Sequence, residues 1–226
     1  MRLPSQYCCQ RKSVIDMAKA DMMESLDFLR KQAIEFGAVE AKIIPIEKIV
    51  IEDRVVFKCK LGCEKYGKTL ACPPYAPTPE EFRKIVSEYH YALFMKFKTQ
   101  VEGDSELIKY LSKTYDPSIP PEMKAKVEKF WSGWKNEMKK LLDIVHALEK
   151  AAAKEGYLLA IGLVSGACQL CEKCNIEEGI CIHPTMKRYS EEGVGVNVKA
   201  TAEKAGLRFT LPFDKNPETF ALLLVD

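Results

Sequence analysis

The sequence lacks any apolar run long enough to cross a bilayer. Its longest, Tyr157 to Val164, falls far short of the ~20 residues a spanning helix needs. A charged leader followed by an apolar core is also missing, because the opening MRLPSQYCCQRK is polar, so no secretory signal is expected. Neither a G-x-G-x-x-G nor a P-loop occurs, and Gly193 with Gly195 does not make one, which removes the usual cradles for nucleotide phosphates. Charge excess is slight, at +2 with a pI near 8.0, too little to predict a nucleic-acid partner. Internal repeats and low-complexity stretches are absent. The remaining composition is ordinary: 226 residues, 47% hydrophobic and 29% charged, enough for a substantial core in one domain. A cytoplasmic protein without a membrane partner is expected.

Against that background the nine cysteines stand out. Their odd number and the missing signal argue against a disulfide framework and for metal binding in a reducing compartment. The densest stretch runs from Gly166 to Ile182, GACQLCEKCNIEEGICI, with Cys168, Cys171 and Cys174 three apart and Cys181 seven further on. Thiolates at every third residue let a short backbone wrap a compact multi-metal core. Structural zinc more often takes two separated C-x2-C pairs, so the run favours iron-sulfur over zinc. Buried core thiols would have apolar neighbours, whereas Gln169, Glu172, Lys173, Asn175, Glu177 and Glu178 surround these.

A second group, CKLGCEKYGKTLACPPYAP, offers Cys59, Cys63 and Cys72. Gly62 and Gly67 permit tight backbone there, and Pro73 and Pro74 stiffen the exit. Lys58, Lys60, Lys65 and Lys68 crowd the same stretch, either as a solvated loop or as cations that raise a cluster's potential. Cys8 and Cys9 are adjacent at the N-terminus and do not match ligand spacing. Of the histidines, His90 and His146 read as structural, while His183, two residues after Cys181, reads as a supporting group.

Hydrophobic periodicity supplies the frame. Met22, Leu26, Leu29, Ala33 and Phe36 mark a helix from near Val14, stopped by Gly37. Two strands are predicted around Pro45, Ala38 to Ile46 and Ile49 to Phe57. Thr78-Pro79 opens a helix to Tyr89, followed by a strand from Tyr91 to Phe97. Gly103 to Tyr115 predicts a helix, and a long one from Pro121 to Lys154 carries a near-heptad stripe that would dock on the sheet or pair with another subunit. Trp131 and Trp134 lie on it as anchors. Tyr157 to Val164 predicts a strand, Ser190 a cap for a helix through Ala205, and Leu207–Leu211 and Thr219–Val225 the closing strands. The expected fold is mixed α/β: a central mixed sheet flanked by helices, with residues 103–156 as a helical insertion. If the two strands feeding the cysteine groups are parallel neighbours, both groups meet at one sheet edge.

The order CKLGCEKYGKTLACPPYAP, CQLCEKCNIEEGICIHP, RYSEEGVGVNV resembles the cysteine-rich family labelled predicted metal-binding protein, found in anaerobic archaea and bacteria. The likeness extends from Ala38 to Val225. It implies a metal set of Cys59, Cys63, Cys72, Cys168, Cys171, Cys174 and Cys181, and it implies no reaction.

Seven thiols divide most simply into four, Cys168, Cys171, Cys174 and Cys181, and three, Cys59, Cys63 and Cys72; an exchange of Cys72 and Cys181 between clusters is the alternative. Two closed [4Fe-4S] clusters, with an eighth ligand from His183, Cys8 or Cys9, predict an electron-transfer protein with a redox partner. A three-thiol cluster with an open iron predicts an enzyme instead, with Lys65, Lys68 and Arg188 holding a small anionic substrate. The tighter C-x3-C-x2-C of S-adenosylmethionine radical enzymes does not occur. A structural zinc site is the third reading.

Overall fold

Two eight-residue segments, β2 (Tyr91–Lys98) and β4 (Glu218–Val225), are buried almost without interruption. Such segments do not alternate polar and apolar because both faces of the sheet they form are covered. The computed structural model describes residues 22–111, 113, 116–210, 212–213 and 215–226. With β1 (Glu40–Pro45) and β3 (Ile161–Val164), these strands form a sheet of order β1-β2-β4-β3. Every neighbouring pair is antiparallel, so the parallel arrangement expected for the strands before the cysteine groups does not occur.

Alternate side chains on β2 and β4 enter different cores. On one face Tyr91, Leu93, Met95, Ala221, Leu223 and Val225 meet α1 (Asp27–Glu35) and the long helix α5 (Pro121–Lys154) through Leu29, Ala33, Leu141, Val145 and Leu148. On the other, Ala92, Phe94, Phe220, Leu222 and Leu224 meet α3 (Pro79–Val86), α6 (Val198–Ala205) and Val194 and Val196. The result is a sheet between two helical layers. Helix α4 (Ser105–Leu111) packs on the start of α5 around Val127 and Phe130. Among the described residues these elements, with α2 below, make six α-helices.

Local chemistry explains where several elements begin. Thr78 Oγ1 accepts from the Glu81 amide while the Glu81 carboxylate accepts from the Thr78 amide, a reciprocal cap for α3. α5 presses so closely on β3 that a Cβ on Gly162 would lie 2.0 Å from Val145 Cγ1. Only glycine permits that approach. Trp134 packs half-buried against the first core, and Trp131 is exposed.

Four expectations need correction. Residues 49–57 are not a strand: beyond a single bridge from Ile51 to Val196, the chain turns into α2 (Asp53–Gly62). The Val and Ile content suggested a strand, but β1 already pairs with β2, and the acidic Asp53 stands in the first turn of a helix. The helix expected from Ser190 to Ala205 is two pieces, a 3-10 turn (Glu192–Val194) and α6. Gly195, at φ 91°, separates them beside Pro79, and Asn197 caps α6. Residues 207–210 form no strand, and β3 begins only at Ile161. The part of the first helix before Met22, like Cys8, Cys9, Tyr115 and Leu211, lies outside the described residues.

A charged residue sits inside this sandwich. Lys96 is 6% exposed and reaches Glu218 at 2.8 Å, Glu40 at 3.3 Å and the Arg208 carbonyl at 2.7 Å. Burial alone would lower its pKa, but the hydrogen bonds and charges of Glu218 and Glu40 hold it above the ordinary lysine value. Lys96→Met keeps the stem and removes the charge. Loss of its charged hydrogen bonds is expected to destabilise the fold by about 2–3 kcal/mol, measured by denaturant unfolding; a change under about 0.5 kcal/mol would show the lysine to be dispensable.

Candidate metal centre

α2 exposes most of its length and fully buries none of its side chains. What it carries is the first thiol group. Cys59 lies in its last turn and Cys63 follows as its cap, with the Cys63 amide bonded to the Cys59 carbonyl at 3.0 Å. A four-residue step along a helix brings two side chains onto one face. The chain then curls back: the Gly67 amide reaches the Pro73 carbonyl at 2.8 Å, and the Cys72 amide reaches Thr69. This curl buries Cys72 to 6% exposure, while Cys63 is exposed and Cys59 half-buried.

The second group leaves the end of β3, as expected. Cys168, Cys171, Cys174 and Cys181 are all half-buried in a loop without regular structure. The two groups meet. The Leu70 amide donates to Cys174 Sγ at 3.3 Å, and from the other loop the Cys168 backbone acts to lower the pKa of Cys72. Each loop thus acts on a sulfur of the other.

Electrostatic interactions between the thiols divide them. Burial pushes the Cys59 thiol up to about 11, helped by the charges of Cys63, Glu192 and Cys72 and opposed by Lys58. Cys72 is raised by burial and by Cys63 and Cys174, against the hydrogen bonds from Thr69 and the Cys168 amide. Burial also raises Cys168 and Cys171, which interact with each other's group, Cys174 and Cys181 included. Cys59, Cys63 and Cys72 therefore form one neighbourhood, and the four later cysteines another. Cys174 touches both. Among the described residues, no three His, Cys, Asp or Glu side chains form a ready-made site for a single ion. The donors are soft sulfurs, which suit thiophilic metals rather than magnesium or calcium.

A strap from Met186 to Val196 holds the two loops together. Lys187 Nζ reaches the Leu70 carbonyl at 3.4 Å and lies over the Tyr189 ring. Ser190 bridges Val164 in parallel, and Gly193 stands 3.6 Å from Pro73 and 3.8 Å from the Ala71 carbonyl when measured from a Cβ position. Arg188 grips Glu149 of α5 through two bonds, 2.6 and 2.5 Å, and Glu149 also accepts from the Gly162 amide. Arg188 is therefore committed to a structural pair rather than open to a substrate. Lys65 pairs with Glu64, and Lys58, Lys60 and Lys68 are exposed. His183 is exposed beyond Cys181. His90 bonds Asp226 at 2.8 Å, and His146 is buried with neither ring nitrogen bonded, its pKa lowered by burial and then by Arg188.

In the sequence Glu191 and Glu192 follow the Ser190 cap like the acidic first turn of a helix, and no local signal marks them as special. Glu191 is wholly buried and neither carboxylate oxygen has a partner. Burial, then the neighbouring Glu192 charge, raises its pKa well above the usual carboxylate range. The folded chain therefore keeps a proton that the unfolded chain gives up above pH 4.5. Its contribution to stability is whole below that value and declines as pH climbs toward the raised folded value. Unfolding midpoints measured from about pH 5 to about pH 8 should fall, and Glu191→Gln, neutral throughout, should flatten the slope. Identical slopes would remove Glu191 as the cause.

No curated protein and no solved structure matches the chain. A family model does, over residues 42–225, a span that takes in both thiol groups and the strap. The chain belongs to the family described as predicted metal-binding protein (DUF2284).

Proposed function

We propose that this metal-binding chain carries two iron-sulfur clusters and passes single electrons to a redox partner. The observation that supports the reading best is the hydrogen bond between the loops, from the Leu70 amide to Cys174 Sγ at 3.3 Å. Two thiol groups in such contact suit two redox centres close enough to exchange an electron. When bound, the clusters supply the electron chemistry, with potentials set by burial, net charge and hydrogen bonds to sulfur.

The chain's own residues would do the rest. Cys168, Cys171, Cys174 and Cys181 hold one cluster, and Cys59, Cys63 and Cys72 the other. The amides of Leu70 and Cys168 stabilise negative sulfur, which favours the reduced state. Lys58 and Lys68, exposed beside the three-thiol group, would attract an acidic partner surface. The electrostatic grouping of Cys181 with Cys168 and Cys171 favours the simple division over an exchanged one.

Metal and sulfide analysis of anaerobically purified chain tests the proposal, joined to paramagnetic resonance after reduction. About eight irons with matching sulfide, and a signal from two interacting centres, are expected. Zinc without sulfide would overturn it.

A further inference from the structure

Glycine inside a helix is destabilising relative to alanine, yet Gly133 stands well inside α5. The space it leaves is taken by Val101: a Cβ on Gly133 would lie 3.2 Å from Val101 Cγ2. Residues 100–104, which follow β2, can therefore lie against the helix, and between the two opens a cleft of about 800 Å³. We infer that this cleft binds a small organic anion, a phosphate or carboxylate carried on a flat apolar body. The site goes beyond the redox reading above, since no cysteine is among the described residues that line it.

The volume suits a small-molecule site, and the walls are fixed before any ligand arrives. The Gln100 amide donates to the Glu137 carboxylate at 3.0 Å, the Gly103 amide to the Lys215 carbonyl at 2.8 Å, and Asn216 Nδ2 to the Val101 carbonyl at 3.0 Å. A segment held at three points has little freedom left to lose on binding. Phe130 and Leu107, from the small core between α4 and α5, supply the apolar lining.

Charge decides the class of ligand. The carboxylates of the lining are already engaged: Glu102 pairs with Lys215 at 2.9 Å, Glu137 with Lys140 at 2.7 Å, and Asp104 caps α4 by accepting from the Leu107 amide at 2.7 Å. Lys126 and Lys129 line the same cleft, and no ion pair within 4.0 Å engages either among the described residues. Lysines three apart on a helix stand roughly 5–6 Å apart at Cβ, so two ammonium groups can close on one anionic head. Exposed charges alone hold an ion weakly. An apolar body adds burial against Phe130 and Leu107, and that is what selects an organic anion over a bare one.

The test titrates the full chain with phenyl phosphate, benzoate, inorganic phosphate and benzyl alcohol in a calorimeter. Phenyl phosphate or benzoate is expected to bind one per chain with a Kd on the order of 1 mM or tighter, and the tighter of the two names the head group. Inorganic phosphate and benzyl alcohol, each lacking half of the ligand, should bind about tenfold more weakly. Lys126→Ala combined with Lys129→Ala should weaken the aromatic anion about tenfold, while Lys124→Ala, an exposed lysine of the same helix outside the cleft, should leave it unchanged. All three lysines are exposed, so the variants should melt with wild type. Absence of binding by both aromatic anions would overturn the inference. So would equal affinity in the double variant, or a loss produced instead by Lys58→Ala with Lys68→Ala beside the thiols. A chain without iron and sulfide would overturn the redox reading and leave this one standing.

Discussion

On the two-cluster proposal, Cys174→Ser should remove more iron than Cys181→Ser. Both substitutions take a soft ligand from the later thiol group, and serine oxygen is a harder and poorer donor to cluster iron than thiolate. Loss of Cys181 is expected to lower iron from about eight per chain to about four, since its charge is felt at Cys168 and Cys171 of its own group. Cys174 differs. Its sulfur accepts the Leu70 amide at 3.3 Å and feels the charge of Cys72. Its removal frees the Leu70 backbone beside Cys72 and loosens the curl that buries that thiol. Retained iron well below about four per chain is therefore expected. Equal iron in the two variants would show that the contact between the loops has no consequence for loading.

Arg188→Ala should lower stability by about 3–5 kcal/mol, the usual cost of removing one partner from a buried pair. The side chains of Arg188 and Glu149 are only 16% and 11% exposed, so the remaining carboxylate would stand nearly dry. At ~2–4 °C per kcal/mol for a chain of this size, the melting temperature should fall by roughly 6–20 °C. The same pair is the bolt between α5 and the strap. Bound metal should therefore be lost to a chelator faster in this variant even at temperatures where it remains folded. Glu149→Ala should behave alike, and the double variant should cost less than the sum of the two. Additive losses would mean that the pair does not act as a unit.

Much of the frame was legible because its elements are locally unambiguous. Thr78, Pro79 and Glu81 announce α3, the stripe from Met123 to Ala152 announces α5, and Tyr91 to Phe97 has the continuous apolar character of a strand covered on both faces. The cysteine groups were legible as groups because ligand spacing is written in the chain. What could not be read was how they meet. Strand direction depends on which edges are free, and nothing in Ile161 to Val164 says that its partner is the antiparallel β4. The run from Ile49 to Phe57 was misread through its β-branched residues, although the four-residue step from Cys59 to Cys63 fits one face of a helix. Glu191 and Glu192 were hidden for another reason. Acidic pairs are usually solvated, and only the packing of the strap shows Glu191 to be buried.

The position of β4 within the sheet bears on how the protein is made. This strand follows every other described element in sequence, yet it lies between β2 and β3. During synthesis, the thiols of Cys59, Cys63 and Cys72 emerge about a hundred residues before the later group, a delay of about 5–20 s at ordinary elongation rates. Even then β3 has no partner until β4 is released. The nascent chain thus displays its sulfurs to the cell for seconds before it has a seat for metal, and delivery must follow completion. Chains truncated before Glu218 should accordingly be recovered without bound metal, whatever metal was supplied while they were growing.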